Sequence, residues 1–151
     1  MKAARKPKIT TARRRSSKLM LEMKVTLAAD PLAVDSVVQS VMKTVRKLQC
    51  ATGKDDAVEL ALTEALANAV VHGAKSDKHK TVECDVLCEK DRGIVIVVRD
   101  PGEGFSLGKV PSPVQGRNIL SNHGRGIYLI NQLMDEVQFL KNGSEIRMVK
   151  R

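Results

Sequence analysis

The chain has 151 residues, enough for one domain of ordinary size, and only 2% of them are aromatic. Its core must therefore be aliphatic, and single-stranded nucleic-acid binding through stacked rings is disfavoured. No apolar run approaches the ~20 residues of a membrane span, so we expect a cytoplasmic protein with no membrane partner. Of the net charge of +9, eight positive charges and no acid lie in residues 1–18. The basic character therefore belongs to a tail, and we expect no direct nucleic-acid partner.

Residues 1–19 are polar, basic and without hydrophobic periodicity, which predicts a disordered tail. The readings open for this tail are a solvated segment, an arm for an anionic partner, a transit peptide, or an extension upstream of a true start at Met20 or Met23. Residues 20–151 form the predicted domain.

Hydrophobic period and turn residues give the elements that follow the tail. Asp30 followed by Pro31 predicts a helix start, and the apolar run 94–98 suits a central strand. The stretch 106–123 lacks periodicity, and a loop of about 18 residues is typical of a lid or binding loop. The predicted elements are strand 22–28, helices 30–48 and 55–73, strands 81–89 and 93–99, helix 124–134, and strands 136–141 and 145–149. Hairpin connections then predict an α+β fold, with a mixed, mainly antiparallel sheet and helices on one face.

The helix at 55–73 carries two polar stripes when it is drawn at roughly 100° per residue. One stripe is an ordinary solvated arc next to the apolar packing face. The other consists of Glu64, Asn68 and His72, spaced i, i+4, i+8. A helix that needs only to be solvated requires no second polar stripe, so this one indicates a ligand. The alternative is that these are exposed side chains making i, i+4 contacts. The packing face comprises Val58, Leu62, Ala65, Leu66 and Ala69.

Three cysteines in a chain without an export signal predict reduced thiols. Cys84 and Cys88, with His72 or His79, offer a zinc alternative. Their C-x3-C spacing on a strand lacks the tight knuckle of structural zinc sites, which disfavours that alternative.

Two glycine pairs mark a second candidate site. Neither belongs to a G-x-x-x-x-G-K-[ST] or a G-x-G-x-x-G motif, which excludes a P-loop and a Rossmann site. Instead, Asp100 directly follows the apolar strand, and Gly102 and Gly104 follow it. The second pair, in the segment Gly124-Arg125-Gly126, opens a helix, and a helix N-terminus favours anions.

These motifs resemble the anti-sigma factor serine-protein kinases, a branch of the gyrase, Hsp90, histidine-kinase and mismatch-repair (Bergerat-fold) ATPases. The resemblance covers about residues 23–150. It is carried by EALANAVVHG at 64–73, RDPGEGF at 99–105, GRGIYLINQLMDEV at 124–137 and NGSEIRMVK at 142–150. It implies a two-layer histidine-kinase-like ATPase domain with an ATP lid.

The resemblance also assigns roles at the base end of the site. Asp100 should accept a hydrogen bond from the adenine amino group, while Gly102 and Gly104 let the backbone pass close to the base. Ser144 stands where the family usually has threonine near the adenine.

At the phosphate end, Asn68 should ligate Mg²⁺, and Glu64 should orient or deprotonate the attacking hydroxyl. The segment Gly124-Arg125-Gly126 should receive the phosphates of ATP. For His72, a packing or hydrogen-bonding role is expected instead of a catalytic one.

The function implied is an ATP-dependent serine/threonine protein kinase that also sequesters a sigma factor. Its acceptor would be a serine of a STAS-type anti-sigma-factor antagonist, and relatives are often homodimers. The alternative is a nucleotide-binding regulatory module without phosphotransfer, although Glu64 favours the enzyme. A detached histidine-kinase catalytic domain would need a phosphoacceptor helix that the chain does not offer, and DNA binding through the tail is the weakest reading.

Overall fold

The computed structural model of the chain describes residues 5–12, 19–103 and 122–151. These residues form a six-stranded sheet in the order β1-β2-β3-β4-β6-β5, and each of its five pairings is antiparallel. The α+β prediction is confirmed, although a mixed sheet was expected and the described strands contain no parallel pair. The elements are β1 (Lys8–Ala12), β2 (Leu19–Ala28), α1 (Pro31–Lys47), α2 (Asp55–Asn68), β3 (Thr81–Glu89), β4 (Gly93–Arg99), α3 (Asn122–Leu133), β5 (Glu136–Leu140) and β6 (Glu145–Lys150).

Helix starts follow local chemistry. The Asp30 side chain accepts a 3.0 Å hydrogen bond from the Leu32 N–H, and Pro31 occupies the first helical position, so α1 begins as predicted. In α2, acidic residues fill the first turn, where they face the positive end of the helix dipole. Of the helices described, none is both long and apolar enough to cross a membrane.

One hydrophobic core lies between the sheet and the helices. Alternate residues of β2, β3, β4 and β6 point towards the helices, and all five residues of the predicted packing face of α2 are buried. The fold is therefore two-layered, as predicted. The largest fully buried side chains include Leu21, Met23, Leu27, Met42, Leu62, Leu66, Ile94, Ile96, Ile130 and Met148.

Strand β1 lies within the tail for which disorder was predicted, and this is a correction for residues 8–12. Ile9 pairs with Val25 and Lys8 with Thr26, so β1 extends the sheet beyond β2. The physical reason is that β2 pairs with β3 along one edge only, and its other edge offers unsatisfied N–H and C=O groups to any extended segment. The division at residue 19 into a tail and a domain stays a prediction.

The cysteine prediction is wrong for two of the three thiols. Cys50, in the turn after α1, and Cys88, on β3, form a disulfide with a Cα–Cα distance of 5.7 Å. They are 38 residues apart in sequence, so no local spacing pointed to the pair. Zinc ligation by Cys88 is inconsistent with this bond, because the metal ligand is a thiolate. Cys84 is a free thiol, and burial raises its pKa to about 12.

Candidate functional site

A cavity of about 410 Å³ opens between α2, the end of β4 and the β5–β6 turn. Four of the predicted site residues line it: Asn68, Asp100, Gly102 and Ser144. They come from three separate segments of the chain, and the pairing of β6 with β4 brings Ser144 next to Asp100. The cavity thus joins Asn68 of the α2 polar stripe to Asp100 and Gly102.

Asp100 is fixed by two backbone hydrogen bonds at the end of β4. Its N–H donates to the Ser144 carbonyl at 2.9 Å, and its Oδ1 accepts from the Gly102 N–H at 2.8 Å. Burial raises the pKa of this carboxyl group above its ordinary value, and the Gly102 hydrogen bond opposes the rise. Because Gly102 engages Oδ1, Oδ2 is the oxygen that remains for a donor on a ligand.

Close backbone packing surrounds this carboxylate. A Cβ at Gly73 would overlap the Asp100 side chain, and a Cβ at Gly102 would overlap the Gly73 carbonyl oxygen. The sequence had pointed to Gly73 only as a helix stop. After Asn68, α2 continues as one wider π turn over Ala69–Gly73, closed by a 2.8 Å hydrogen bond from the Ala74 N–H to the Ala69 carbonyl. This turn ends with Gly73 against Asp100.

Glu64 and Asn68 meet the first turns of α3. A Cβ at Gly126 would lie 2.8 Å from Glu64 Oε2 and 3.2 Å from Asn68 Nδ2. A Cβ there would displace the ends of these two side chains, so glycine at this position lets Glu64 and Asn68 lie directly against α3. Gly124 is buried and Arg125 is exposed in the same part of α3. Because α3 begins at Asn122, all three residues lie near the positive end of its dipole.

Other cavity residues were not among the predicted site residues. Lys75 and Lys80 bring positive charge to the wall, while Val98, Ile127 and Phe139 give it apolar surface. Both lysines lie in the loop 74–80. Its sequence carries no motif, so only the fold identifies these lysines as cavity residues. His72, expected to have a packing or hydrogen-bonding role, also lines the cavity. Gly104 and the predicted lid, up to residue 121, lie outside the described residues.

The cavity suits a molecule with a planar apolar part and an anionic part. Its apolar walls and the backbone of Gly73 and Gly102 lie beside the Asp100 carboxylate, which can accept a hydrogen bond. The two lysines of the wall complement negative charge. Within the described residues, no three His, Cys, Asp or Glu side chains converge to hold a metal. The Asn68 side-chain oxygen fits a magnesium ion that takes most of its ligands from phosphate and water. A magnesium nucleotide is consistent with this set of groups.

Comparison with known proteins finds similar chains. The chain is similar to the serine-protein kinase RsbW of Bacillus licheniformis, with 36% identity over 100 residues, 62% of each chain. It is 29% identical to the serine-protein kinase RsbW of Bacillus mycoides over 137 residues, 86% of this chain and 83% of that protein. The first of these matches thus spans less than two-thirds of its relative.

The family comparison covers more of the chain. Residues 27–150 match the histidine kinase-like ATPase domain, which confirms the fold implied by the sequence motifs. The match includes α2, β4, α3 and β6, the elements that carry the candidate site. The chain therefore belongs to the histidine kinase-like ATPase domain family.

Proposed function

We propose that the chain is an ATP-dependent serine/threonine protein kinase. The observation that carries this proposal is the Glu64 carboxylate, which lies against Gly126 beside Asn68. Asn68 in turn lines the nucleotide-sized cavity. Binding a nucleotide requires no carboxylate beside the phosphates, because the two charges repel. A carboxylate there is useful when a hydroxyl group must be deprotonated for attack.

The base end of ATP would be held by Asp100. Its Oδ2 would accept a hydrogen bond from the adenine amino group, and this selects adenine over guanine, whose corresponding position is a carbonyl. Gly73 and Gly102 pack closely around Asp100 and line the cavity without a side chain, so a flat ring could approach the backbone there. Gly104 and Ser144 complete the proposed adenine site. The Ser144 hydroxyl donates to the Lys141 carbonyl at 2.8 Å, which fixes it as an acceptor towards a ligand.

The phosphate end would lie between α2 and α3. Gly124, Arg125 and Gly126 place the helix dipole and one guanidinium group near the phosphates. Asn68 would ligate Mg²⁺, which neutralises phosphate charge when it is bound with the nucleotide. In the transfer step, the acceptor Oγ forms a bond to the γ-phosphorus as the bond to the β–γ bridging oxygen breaks. The hydroxyl proton passes to Glu64, and ADP leaves.

The protein substrate and partners follow from the family resemblance. We propose that the acceptor is a serine of a STAS-type anti-sigma-factor antagonist, and that the same chain sequesters a sigma factor. Phosphorylation would release the antagonist and leave the kinase with its sigma factor. A cytoplasmic homodimer belongs to the same proposal, which is supported by the similarity to proteins named serine-protein kinase.

The test is incubation of the purified protein with Mg²⁺, γ-labelled ATP and candidate antagonists from the same genome. The expected result is label on one serine of one antagonist, located by mass spectrometry, with Glu64→Gln as the inactive control. Nucleotide binding without transfer to any candidate would instead support the alternative, a regulatory module that binds nucleotide and a partner. No binding of ATP would reject both.

A further inference from the structure

A network of charged side chains lies behind the Asp100 end of the cavity, on the opposite face of the sheet. Arg99 Nη1 donates to Asp85 Oδ2 at 2.7 Å, and Arg99 Nε donates to Glu145 Oε1. Side chains alternate along a strand, so Arg99 and Glu145 face away from the cavity that their neighbours Asp100 and Ser144 line. The network therefore joins β3, β4 and β6 at the point where the cavity begins.

The Arg99 network differs from the ordinary ion pairs on the same sheet face. Glu145 is 8% exposed, and the Arg99 side chain is one-third exposed with two carboxylate partners. Hydrogen bonding to Asp85 and Glu145 raises the pKa of the guanidinium group, while burial opposes the rise. By contrast, Arg147 and Glu136 are 3.9 Å apart and more exposed. They provide a matched comparison on β6 and β5.

The network is connected to the site through the backbone. Arg99 and Glu145 are partners in the β4–β6 register, and the next bond of that ladder runs from the Asp100 N–H to the Ser144 carbonyl at 2.9 Å. Glu145 also lies 3.9 Å from Lys141 Nζ, in the turn that holds the Ser144 hydroxyl. A shift of β4 along β6 would therefore move Asp100 relative to Ser144.

We propose that Arg99 is a positioning residue for recognition of the nucleotide base. It clamps β4 between β3 and β6 and so holds Asp100 Oδ2 at the distance and angle that a hydrogen bond to an exocyclic amino group requires. The inference rests on the proposed ATP site and adds a determinant of specificity on the far face of the sheet. The competing explanation is that the network only stabilises the sheet.

A cycle of variants and nucleotides separates these explanations. The variants are Arg99→Met and the matched control Arg147→Met, and the ligands are ATP and purine riboside triphosphate, which lacks the amino group. We expect Arg99→Met to weaken ATP binding by about 10-fold, the effect of losing one well-placed hydrogen bond. Binding of the analogue should change by less than about two-fold. Arg147→Met should leave both affinities, and so the preference for ATP, unchanged.

Each outcome of titration calorimetry, run well below the thermal midpoint, bears on the proposal. An equal loss of affinity for both ligands indicates general loosening of the sheet and overturns it, as does unchanged ATP affinity. If Arg99→Met does not fold, Glu145→Gln is the second variant, because it keeps the shape of the network. It should also reduce the preference for ATP over the analogue. A wild-type protein that binds neither nucleotide rejects the ATP site itself. If only the positioning role of Arg99 is wrong, the wild-type protein still prefers ATP to the analogue, and Arg99→Met shows the same preference.

Discussion

Gly126 faces the Glu64 carboxylate so closely that a methyl group on its Cα would lie 2.8 Å from Oε2. The first turns of α3 and the polar stripe of α2 are therefore in direct contact. Because Oε2 is the end of a flexible side chain, it can move without disturbing either helix. The fold therefore tolerates a methyl group at this position, while the arrangement of Glu64 and Asn68 does not.

Gly126→Ala should therefore separate stability from activity. Alanine favours a helix over glycine by roughly 1 kcal/mol, so the thermal midpoint should stay the same or rise. Displacement of the carboxylate should lower phosphotransfer by about 10²-fold, the cost of misplacing a reacting group by about 1 Å. Single-turnover transfer and thermal unfolding measure the two effects. Gln132→Ala, at an exposed position of α3, is the control. Phosphotransfer at the wild-type rate by Gly126→Ala would show that the methyl group does not displace the Glu64 carboxylate from its active position.

Asp100→Asn should weaken ATP binding while it stabilises the free protein. The Gly102 N–H must still find an acceptor, so the amide oxygen turns towards Gly102 and the NH₂ group faces the adenine donor. Affinity should fall by about 5- to 150-fold, because one donor loses its acceptor. Calorimetric titration with ATP and GTP checks this. Unaltered ATP affinity, or a wild-type protein that binds both nucleotides equally, would contradict the assigned base contact.

The effect of Asp100→Asn on stability should depend on pH. The folded protein raises the pKa of Asp100, so this group contributes most to stability at low pH, and the contribution is lost as pH rises through the folded-state pKa. At pH 7 the variant should therefore have the higher thermal midpoint. Below about pH 3.9, the ordinary pKa of aspartate, the difference should disappear. A variant that is less stable than wild type at pH 7 would argue that the carboxylate has a favourable partner.

Elements with a strong local pattern could be predicted from the sequence. The bounds of β3 and β4 agree with the predicted 81–89 and 93–99, because alternation or an apolar run ends at turn residues in both. Asn68 and Asp100 reach one cavity because their motifs lie at the ends of such elements. For these strands and site residues, local sequence preference and tertiary packing favour the same structure.

Features that depend on long-range contacts or on irregular helix geometry could not be predicted. The pairing of Cys50 with Cys88 depends on where the turn after α1 lies over β3, which no local spacing records. The segment KITTA, residues 8–12, lacks an alternating pattern and forms a strand only because the edge of β2 is available. A constant 100° per residue also misses the π turn, whose wider hydrogen bond brings Gly73 to Asp100.

Reduction of the Cys50–Cys88 bond should destabilise the protein. A closed loop of this length is worth about 2–4 kcal/mol, mainly through the entropy of the unfolded chain. The thermal midpoint should fall on treatment with dithiothreitol, and a Cys50→Ser/Cys88→Ser variant should show the lower midpoint without it. Alkylation of the unreduced, denatured protein should label Cys84 alone. In the native protein Cys84 should not react, because its side chain is buried and burial raises its pKa to about 12. Three labelled thiols without reductant would reject the disulfide.

Deletion of residues 1–18 should lower stability and spare nucleotide binding. The deletion removes β1 and exposes the edge of β2. The cavity lies against β4 and β6, which β2 and β3 separate from β1. A loss of about 1 kcal/mol lowers the midpoint by roughly 2–4 °C in a domain of this size. A variant lacking only residues 2–4 is the control, because it retains β1. An unchanged midpoint would indicate that β1 contributes nothing, and weakened ATP binding would indicate that the tail reaches the site.

Glu64→Gln should distinguish the kinase from the binding module. The substitution keeps the shape of the side chain next to Gly126 and removes the proton acceptor. A positioned general base contributes about 10²- to 10⁴-fold, so transfer to the antagonist serine should fall by that factor. ATP affinity should change little, because a carboxylate near a triphosphate does not help to bind it. Under the proposed function, sigma-factor binding should persist, which would leave a variant that holds its proposed partner and does not inactivate the antagonist.

Asn68→Ala is the matched comparison, because it removes a proposed metal ligand one turn along the same stripe. Its Mg-ATP affinity and its turnover should fall together, and excess Mg²⁺ should restore part of both. Single-turnover transfer beside ATP titration, for the wild type and both variants, gives the two quantities separately. If Glu64→Gln transfers phosphate at the wild-type rate, the proton must leave by another route. If Glu64→Gln loses affinity and rate in the same proportion as Asn68→Ala, Glu64 acts in binding, and the polar stripe of α2 is a nucleotide-binding surface without a base.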